Sequence, residues 1–302
     1  MIISDKRDIS AHEVAEWIRF FGGEAFLMST KEILKSVKFS FSSTKCHFLS
    51  RFYSGWYRRD VIYDENVICD KLEEKHRHKM LKRVDDDLNQ LRNYVFSERY
   101  VDKWLSNHSL KYLDKLSVLE SARFFGIKTP EFIVTNNRNC LVEFEKNVGP
   151  LIVKPISNNI SIIENEFQLI QRVNFVKNIS NSFPLNFMPA FFQQYIDKLF
   201  EIRTFYLDGS FYSTSLLSNN EVDIKSVLTT CRQVPYKLNS DYQEKLENLL
   251  KHLNIKTASI DSLVSKNGEI YFLELNVNGQ FGWISKGCNY YLEREIAKYL
   301  LR

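Results

Sequence analysis

Ser259-Ile260-Asp261-Ser262-Leu263-Val264-Ser265-Lys266-Asn267-Gly268-Glu269-Ile270-Tyr271-Phe272-Leu273-Glu274-Leu275-Asn276 sets two β-prone runs on either side of an Asn-Gly pair, a strong short-range hairpin signal. Taken as a two-residue turn, Asn267-Gly268 pairs Ile260 with Leu275 and Val264 with Tyr271 on one face, and Leu263 with Phe272 on the other. The same register sets Asp261 opposite Glu274, with Asn276 two residues further along on that face. Facing carboxylates repel across a sheet, and a hard cation removes the repulsion. Asp261, Glu274 and Asn276 offer only oxygen ligands, which suits Mg²⁺ completed by water and substrate phosphates. A solvated acidic edge with one carboxylate partly protonated is the alternative that the hairpin alone leaves open.

Cations on the strands upstream bear on that choice. Lys154 closes the apolar run Leu151-Ile152-Val153 and precedes Pro155, so a charge stands at the end of a buried strand where a phosphate can meet it. A lysine snorkelling at a sheet rim reads the same way. In Glu201-Ile202-Arg203 strand alternation sets Glu201 and Arg203 on one face, where an ion pair within the strand is the plainer reading. Metal together with fixed cations is the assembly that phosphoryl transfer requires. No G-x-x-x-x-G-K-[ST] or G-x-G-x-x-G occurs, so a nucleotide would have to be held without a P-loop or a dinucleotide fingerprint.

Further strands are expected at Leu151 to Lys154 and Phe191 to Ile196, with a hairpin through Asp208-Gly209. Ser240 is expected to cap a helix carrying Leu246, Leu249, Leu250 and Leu253. Before them a helix from about Leu110 to Phe125 ends at Gly126, followed by a strand Phe132 to Val134. Earlier still, Leu72 to about Asn107 reads as one long helix with a stripe that includes Leu81, Val84, Leu88, Leu91 and Trp104. The chain opens as strand, helix, strand: Ile2-Ile3, then a helix with Ser10 and Glu13 as a capping box and Gly22-Gly23 as its stop, then Ala25 to Met28. An α/β opening followed by α+β sequence is the expected class.

Over 302 residues, 44% are hydrophobic and 26% charged, and no apolar run approaches the roughly 18 residues of a membrane helix. No secretion signal is visible, and a cytoplasmic protein is the default expectation. The five cysteines form no C-x-x-C pair, against a disulfide frame or zinc site. A net charge of +4, with both signs mixed, suits an anionic small partner and does not call for nucleic acid. The six histidines sit in polar contexts and support no nucleophile scheme.

These segments together resemble a known family. Asp114-Lys115-Leu116, Gly126-Ile127-Lys128-Thr129-Pro130, Ile152-Val153-Lys154-Pro155, Phe192-Gln193-Gln194-Tyr195-Ile196-Asp197-Lys198, Glu201-Ile202-Arg203, Ser259-Ile260-Asp261, Phe272-Leu273-Glu274-Leu275-Asn276 and Gly279-Gln280-Phe281-Gly282-Trp283 resemble ATP-grasp peptide maturases. The nearest likeness is to the grasp-with-spasm enzymes that make graspetides, relatives of the microviridin ligases. Trp56-Tyr57-Arg58-Arg59 and Cys288-Asn289-Tyr290-Tyr291-Leu292-Glu293 look like the same subgroup.

The resemblance implies an ATP-grasp fold with a pre-grasp α/β domain over residues 1–105, a central subdomain over 106–190 and a C-terminal subdomain over 191–302. By the same resemblance Lys115 and Lys154 contact phosphates, and Gln193, Gln194, Tyr195, Ile196 and Lys198 form the hinge strand beside adenine. Glu201 lies by the ribose and Arg203 by the reacting phosphate. Asp261, Glu274 and Asn276 hold Mg²⁺, and Arg232 is a further phosphate or acyl-phosphate contact. Asp223, Lys225, Gln280 and Trp283 are implied to face the substrate peptide. The implied reaction phosphorylates Asp or Glu side chains of a ribosomal precursor, whose Ser, Thr or Lys then attacks to close an ester or amide ring. A leader on the precursor and a homodimer are also implied. The alternatives are an intermolecular ligase and a non-catalytic peptide-binding protein.

Two positions depart from the family. Asp223-Ile224-Lys225 stands where Asp-Phe-Arg is common, and a lysine lacks the bidentate grip of an arginine. Asn276-Val277 stands where Asn-Pro is usual, with the ligand Asn kept.

Overall fold

The computed structural model describes residues 1–30, 32, 51–59, 73–95, 101–106, 110, 113–156, 161–164, 167–170, 173–217 and 231–302. The chain opens with β1 (Ile2–Ile3), α1 (Ile9–Phe20), β2 (Leu27–Met28), β3 (Phe52–Tyr57), α2 (Glu74–Val95) and β4 (Val101–Ser106). These strands form one parallel sheet in the order β2-β1-β3-β4. Two expectations are corrected here. The cap of α1 is Asp8, whose carboxylate accepts from the Ala11 amide, and not Ser10; a carboxylate there also complements the helix dipole. The long helix stops at Val95, and Trp104 lies on a strand. Val101 and Leu105 are buried in the sheet, and parallel pairing with β3 outweighs helical spacing. Gly55 is needed opposite: a Cβ there would lie 2.7 Å from the Trp104 ring.

Next come α3 (Lys115–Phe124), β5 (Phe132–Asn137), α4 (Arg138–Val148), β6 (Leu151–Lys154), β7 (Ser161–Glu164), β8 (Phe167–Ile170), β9 (Asn174–Phe175), α5 (Ile179–Ser182) and β10 (Asn186–Gln194). Strands β5-β10-β6-β9 make an antiparallel sheet that continues to Gln194. Helix α3 begins at Lys115, later than the expected Leu110, because Asp114 accepts from the Leu116 and Ser117 amides and starts it. Gly126, at φ 71°, ends it as expected. Helix α4, which periodicity did not reveal, is capped by Asn137 and buries only Leu141 completely.

The remainder is β11 (Lys198–Leu207), β12 (Ser210–Leu217), β13 (Arg232–Tyr236), α6 (Ser240–His252), β14 (Thr257–Ser265), β15 (Ile270–Asn276), α7 (Gly282–Cys288) and α8 (Leu292–Leu301). An antiparallel sheet in the order β13-β12-β11-β14-β15 carries the two largest cores, one on each face. On one face Ile202, Ile260, Val264 and Phe272 pack against α3 and α6. On the other, Phe205 and Leu207 pack against α1, α7 and α8. Glu201, Arg203, Asp261 and Leu263 share that second face by register and lie beyond its helical cover. The cap of α6 is Asn239, one residue before the expected Ser240.

The β14–β15 hairpin corrects the expected register. Ser265 accepts from Gly268 and pairs with Glu269, so the loop is Lys266-Asn267-Gly268, with Gly268 at φ 81°. That is the three-residue loop in which glycine supplies the left-handed residue. Val264 therefore faces Ile270 and Leu263 faces Tyr271. A bulge between Asp261 and Ser262 then takes up Leu273 as an extra residue and restores the pairs Asp261–Glu274 and Ile260–Leu275. Phe272 consequently joins the core face, away from Leu263.

Candidate functional site

Lys115 stands at the first residue of α3, Lys154 at the last of β6, and Arg203 and Asp261 opposite each other on β11 and β14. They meet in a cleft between the central antiparallel sheet and the five-stranded sheet. Its walls are Lys115, Pro130, Ile152, Lys154, Pro155, Val173, Gln193 to Ile196, Lys198, Glu201, Arg203, Asp261, Leu263, Leu273 and Glu274. The bulge at Leu273 lets Leu273 and Glu274 both contribute to this wall.

Each carboxylate in the cleft is met by a cation. The Arg203 guanidinium is paired with the Asp261 carboxylate. Lys115 lies 3.7 Å from Glu274 and donates to the Pro155 carbonyl at 3.4 Å. Lys198 donates to Glu201 at 2.6 Å, so Glu201 pairs with this lysine and not with Arg203. Lys154 donates to Gln193 Oε1 at 2.8 Å. Gln193 is buried, and its Nε2 has no hydrogen-bond partner among the described residues, an uncommon and costly condition for a buried amide. Gln194 is tied to Val148 and Glu131, the Tyr195 amide to Pro150, and the Tyr195 ring packs 4.5 Å from Phe175.

Other expected residues lie outside this wall. Asn276 ends β15, is exposed, and accepts from the Asn278 amide at 2.9 Å. Trp283, on α7, has its ring 6.0 Å from the Arg203 guanidinium. Gln280 is exposed in the loop before it. Arg232 is exposed on the edge strand β13 and does not line the cleft; register puts it on the face of Ile202 and Tyr236, opposite that of Arg203. Asp223 and Lys225 lie outside the described residues. Sequence reading missed Pro130, Val173, Leu263 and Leu273 as cleft residues, since apolar side chains in a site and in a core have the same spacing.

The donor set fits a magnesium-bound nucleotide. Lys115, Lys154, Lys198 and Arg203 supply cations for a polyphosphate, Gln193 Nε2 is a buried donor without an acceptor among the described residues, and Asp261 and Glu274 supply hard oxygen. Among the described residues no group of three His, Cys, Asp or Glu side chains gathers at one point, so Mg²⁺ would rest on these two carboxylates, Asn276 and the phosphates. Among the same residues no helix is long and apolar enough to cross a membrane.

The chain matches no protein-family model, and no curated protein matches it in sequence. Solved structures do resemble it. The macrocyclase MdnC of Microcystis aeruginosa MRC, bound with precursor peptide MdnA, aligns with a TM-score of 0.81 at 21% identity, covering 99% of this chain and 98% of that one. A RiPP-associated ATP-grasp ligase of Chryseobacterium gregarium, in complex with ADP and a leader and core peptide, aligns at 0.81 and 22% identity, over 99% and 94%. The ATP-grasp ligase PsnB, complexed with precursor peptide PsnA2 and AMPPNP, aligns at 0.77 and 15%, over 99% and 95%. The chain has the ATP-grasp fold.

Proposed function

We propose that this chain is an ATP-dependent carboxylate ligase that matures a ribosomally made peptide, activating Asp or Glu side chains and closing ester or amide rings with Ser, Thr or Lys. The observation that carries the reading is the pairing of each candidate metal carboxylate with a cation: Arg203 on Asp261 and Lys115 on Glu274. Such pairs exchange partners when a polyphosphate and a divalent cation arrive together: the cations turn to phosphate and the carboxylates to metal. Magnesium-ATP, when bound, supplies the phosphoryl group that makes a carboxylate reactive towards a hydroxyl or amine.

The chain's own groups then have distinct tasks. Lys154 and Lys115 hold phosphate oxygens, and Arg203 stands where charge develops during transfer. Gln193 Nε2 and the hinge from Gln194 to Ile196, with Lys198, hold the base, and Glu201 the sugar. Pro130, Ile152, Leu263 and Leu273 exclude water from the apolar part of the cleft. Trp283 and Gln280 face the arriving peptide. Residues 106–190 and 191–302 act as the two jaws, and residues 1–105 as the pre-grasp domain. The resemblance further suggests leader recognition, a homodimer and a cytoplasmic setting.

Incubation with ATP, Mg²⁺ and a precursor encoded beside this reading frame tests the proposal by mass. Loss of one water for each ring is expected. A gain in mass equal to one amino acid less one water would favour the intermolecular ligase, and no ATP consumption with any precursor would favour a binding protein.

A further inference from the structure

Order β2-β1-β3-β4 in an all-parallel sheet reverses direction between β1 and β3, and ligands of open α/β sheets bind outside the carboxyl ends of the strands at such a point. Here the chain's own loop lies there. Arg58, the residue after β3, donates from Nη1 to the carbonyl of Asn278 at 2.6 Å. Its guanidinium lies 5.2 Å from the Phe281 ring, and Phe281 packs between Trp56 and Phe205. A Cβ on Gly282 would approach Ser10 Oγ to 2.9 Å, so α1 also borders this loop. Arg58 is only 3% exposed, and its buried charge is met by Asp8 at 3.5 Å.

We propose that Arg58 is a positioning residue for the candidate magnesium site: from the N-terminal sheet it fixes the loop Asn276–Phe281, and with it the side chain of Asn276. The inference rests on the function proposed above for Asn276 and extends it to a residue that touches neither nucleotide nor metal. The physical case is short. Asn276 Oδ1 caps the Asn278 amide, and Gly279 is packed so closely on Ser259 that a Cβ would lie 2.4 Å away. The turn therefore has one arrangement while the Asn278 carbonyl is held. A buried, planar guanidinium paired to a helix-capping carboxylate is a rigid anchor, and a lysine offers no equivalent fork.

The test uses the full chain, with ADP as probe and two variants, Arg58→Met and Arg58→Lys. Calorimetry gives ADP binding with and without Mg²⁺, and hydrogen exchange reports the amides of residues 276–282. Arg58→Met is expected to weaken the Mg²⁺-dependent part of binding about tenfold, leave Mg²⁺-free binding within about twofold, and speed exchange in the loop. Arg58→Lys keeps a charge against Asp8, so it is expected to fold even where Arg58→Met does not, and to lose about threefold in the same Mg²⁺-dependent part. Wild-type-like magnesium dependence and loop exchange in a folded Arg58→Lys or Arg58→Met protein overturns the inference. Absence of Mg²⁺-dependent ADP binding in the unmodified chain would instead defeat the proposed function, and the exchange measurement would still decide whether Arg58 holds the loop.

Discussion

Asp261 and Glu274 face each other across β14 and β15, although the turn that joins these strands sets the residues beside it one step out of that register. The bulge that takes up Leu273 cancels the offset. The two carboxylates are thus brought together by a compensating irregularity, which also turns Leu273 into the cleft and Phe272 into the core. Bulges near active sites commonly re-aim side chains in this way.

Replacing Glu274 by Gln keeps its shape and removes its charge. Its side chain is 26% exposed and lies 3.7 Å from Lys115, so stability should change by less than about 1 kcal/mol. ATP consumption should fall by about a hundredfold or more, since one of two hard-oxygen charges for the metal is gone. Thermal unfolding beside a coupled ATPase assay checks both, and full activity would remove Glu274 from the metal site.

Gln193→Leu separates a binding role from a structural one. The buried Nε2 has no partner among the described residues, so its own loss should cost the unliganded chain little, and removing the Lys154 hydrogen bond to Oε1 should cost about 1.5–3 kcal/mol. ADP affinity should drop roughly tenfold, the equivalent of about 1.4 kcal/mol for one hydrogen bond. Equal affinities in the two proteins would show that Gln193 meets no ligand.

Glu293 gives a pH signature. Burial raises its pKa above the ordinary 4.5, opposed by a 2.5 Å hydrogen bond from Ser285 Oγ. The folded chain therefore holds this proton more tightly than the unfolded one. Its stabilising contribution is complete below pH 4.5 and is lost as pH rises through the folded-state value. The difference in unfolding free energy between Glu293→Gln and the wild type should grow in favour of Gln over that window. A flat difference across it would contradict the assignment.

Helix caps should differ in weight. Asn239→Ala removes a cap from α6, where Oδ1 accepts from Tyr242 at 2.7 Å, and should cost about 1 kcal/mol. Asp8→Ala removes a cap and also the counter-ion of the buried Arg58, and should cost about 3 kcal/mol or more. Chemical denaturation of the two variants compares them directly, and equal losses would mean that Asp8 acts as a cap alone.

Local sequence alone determined the strands Leu151–Lys154 and β11–β12 and the stop of α3 at Gly126, because alternation, an Asp-Gly turn and glycine at positive φ act over a few residues; the facing of Asp261 with Glu274, expected from a two-residue turn, is reached instead through a three-residue turn and the bulge at Leu273. The caps fall one or two positions before the expected serines, since Asp8 and Asn239 precede Ser10 and Ser240 by two residues and one, and each pair is of equal promise as a cap. Trp104 was assigned to a helix because its spacing suits one, and only pairing with β3 makes Val101–Ser106 a strand. Tertiary structure decided which distant groups meet: Arg203 pairs with Asp261, Lys115 stands by Glu274, and Arg58 reaches Asn278. Those contacts depend on how sheets from distant parts of the chain are laid against each other, and no local pattern of residues encodes that distance.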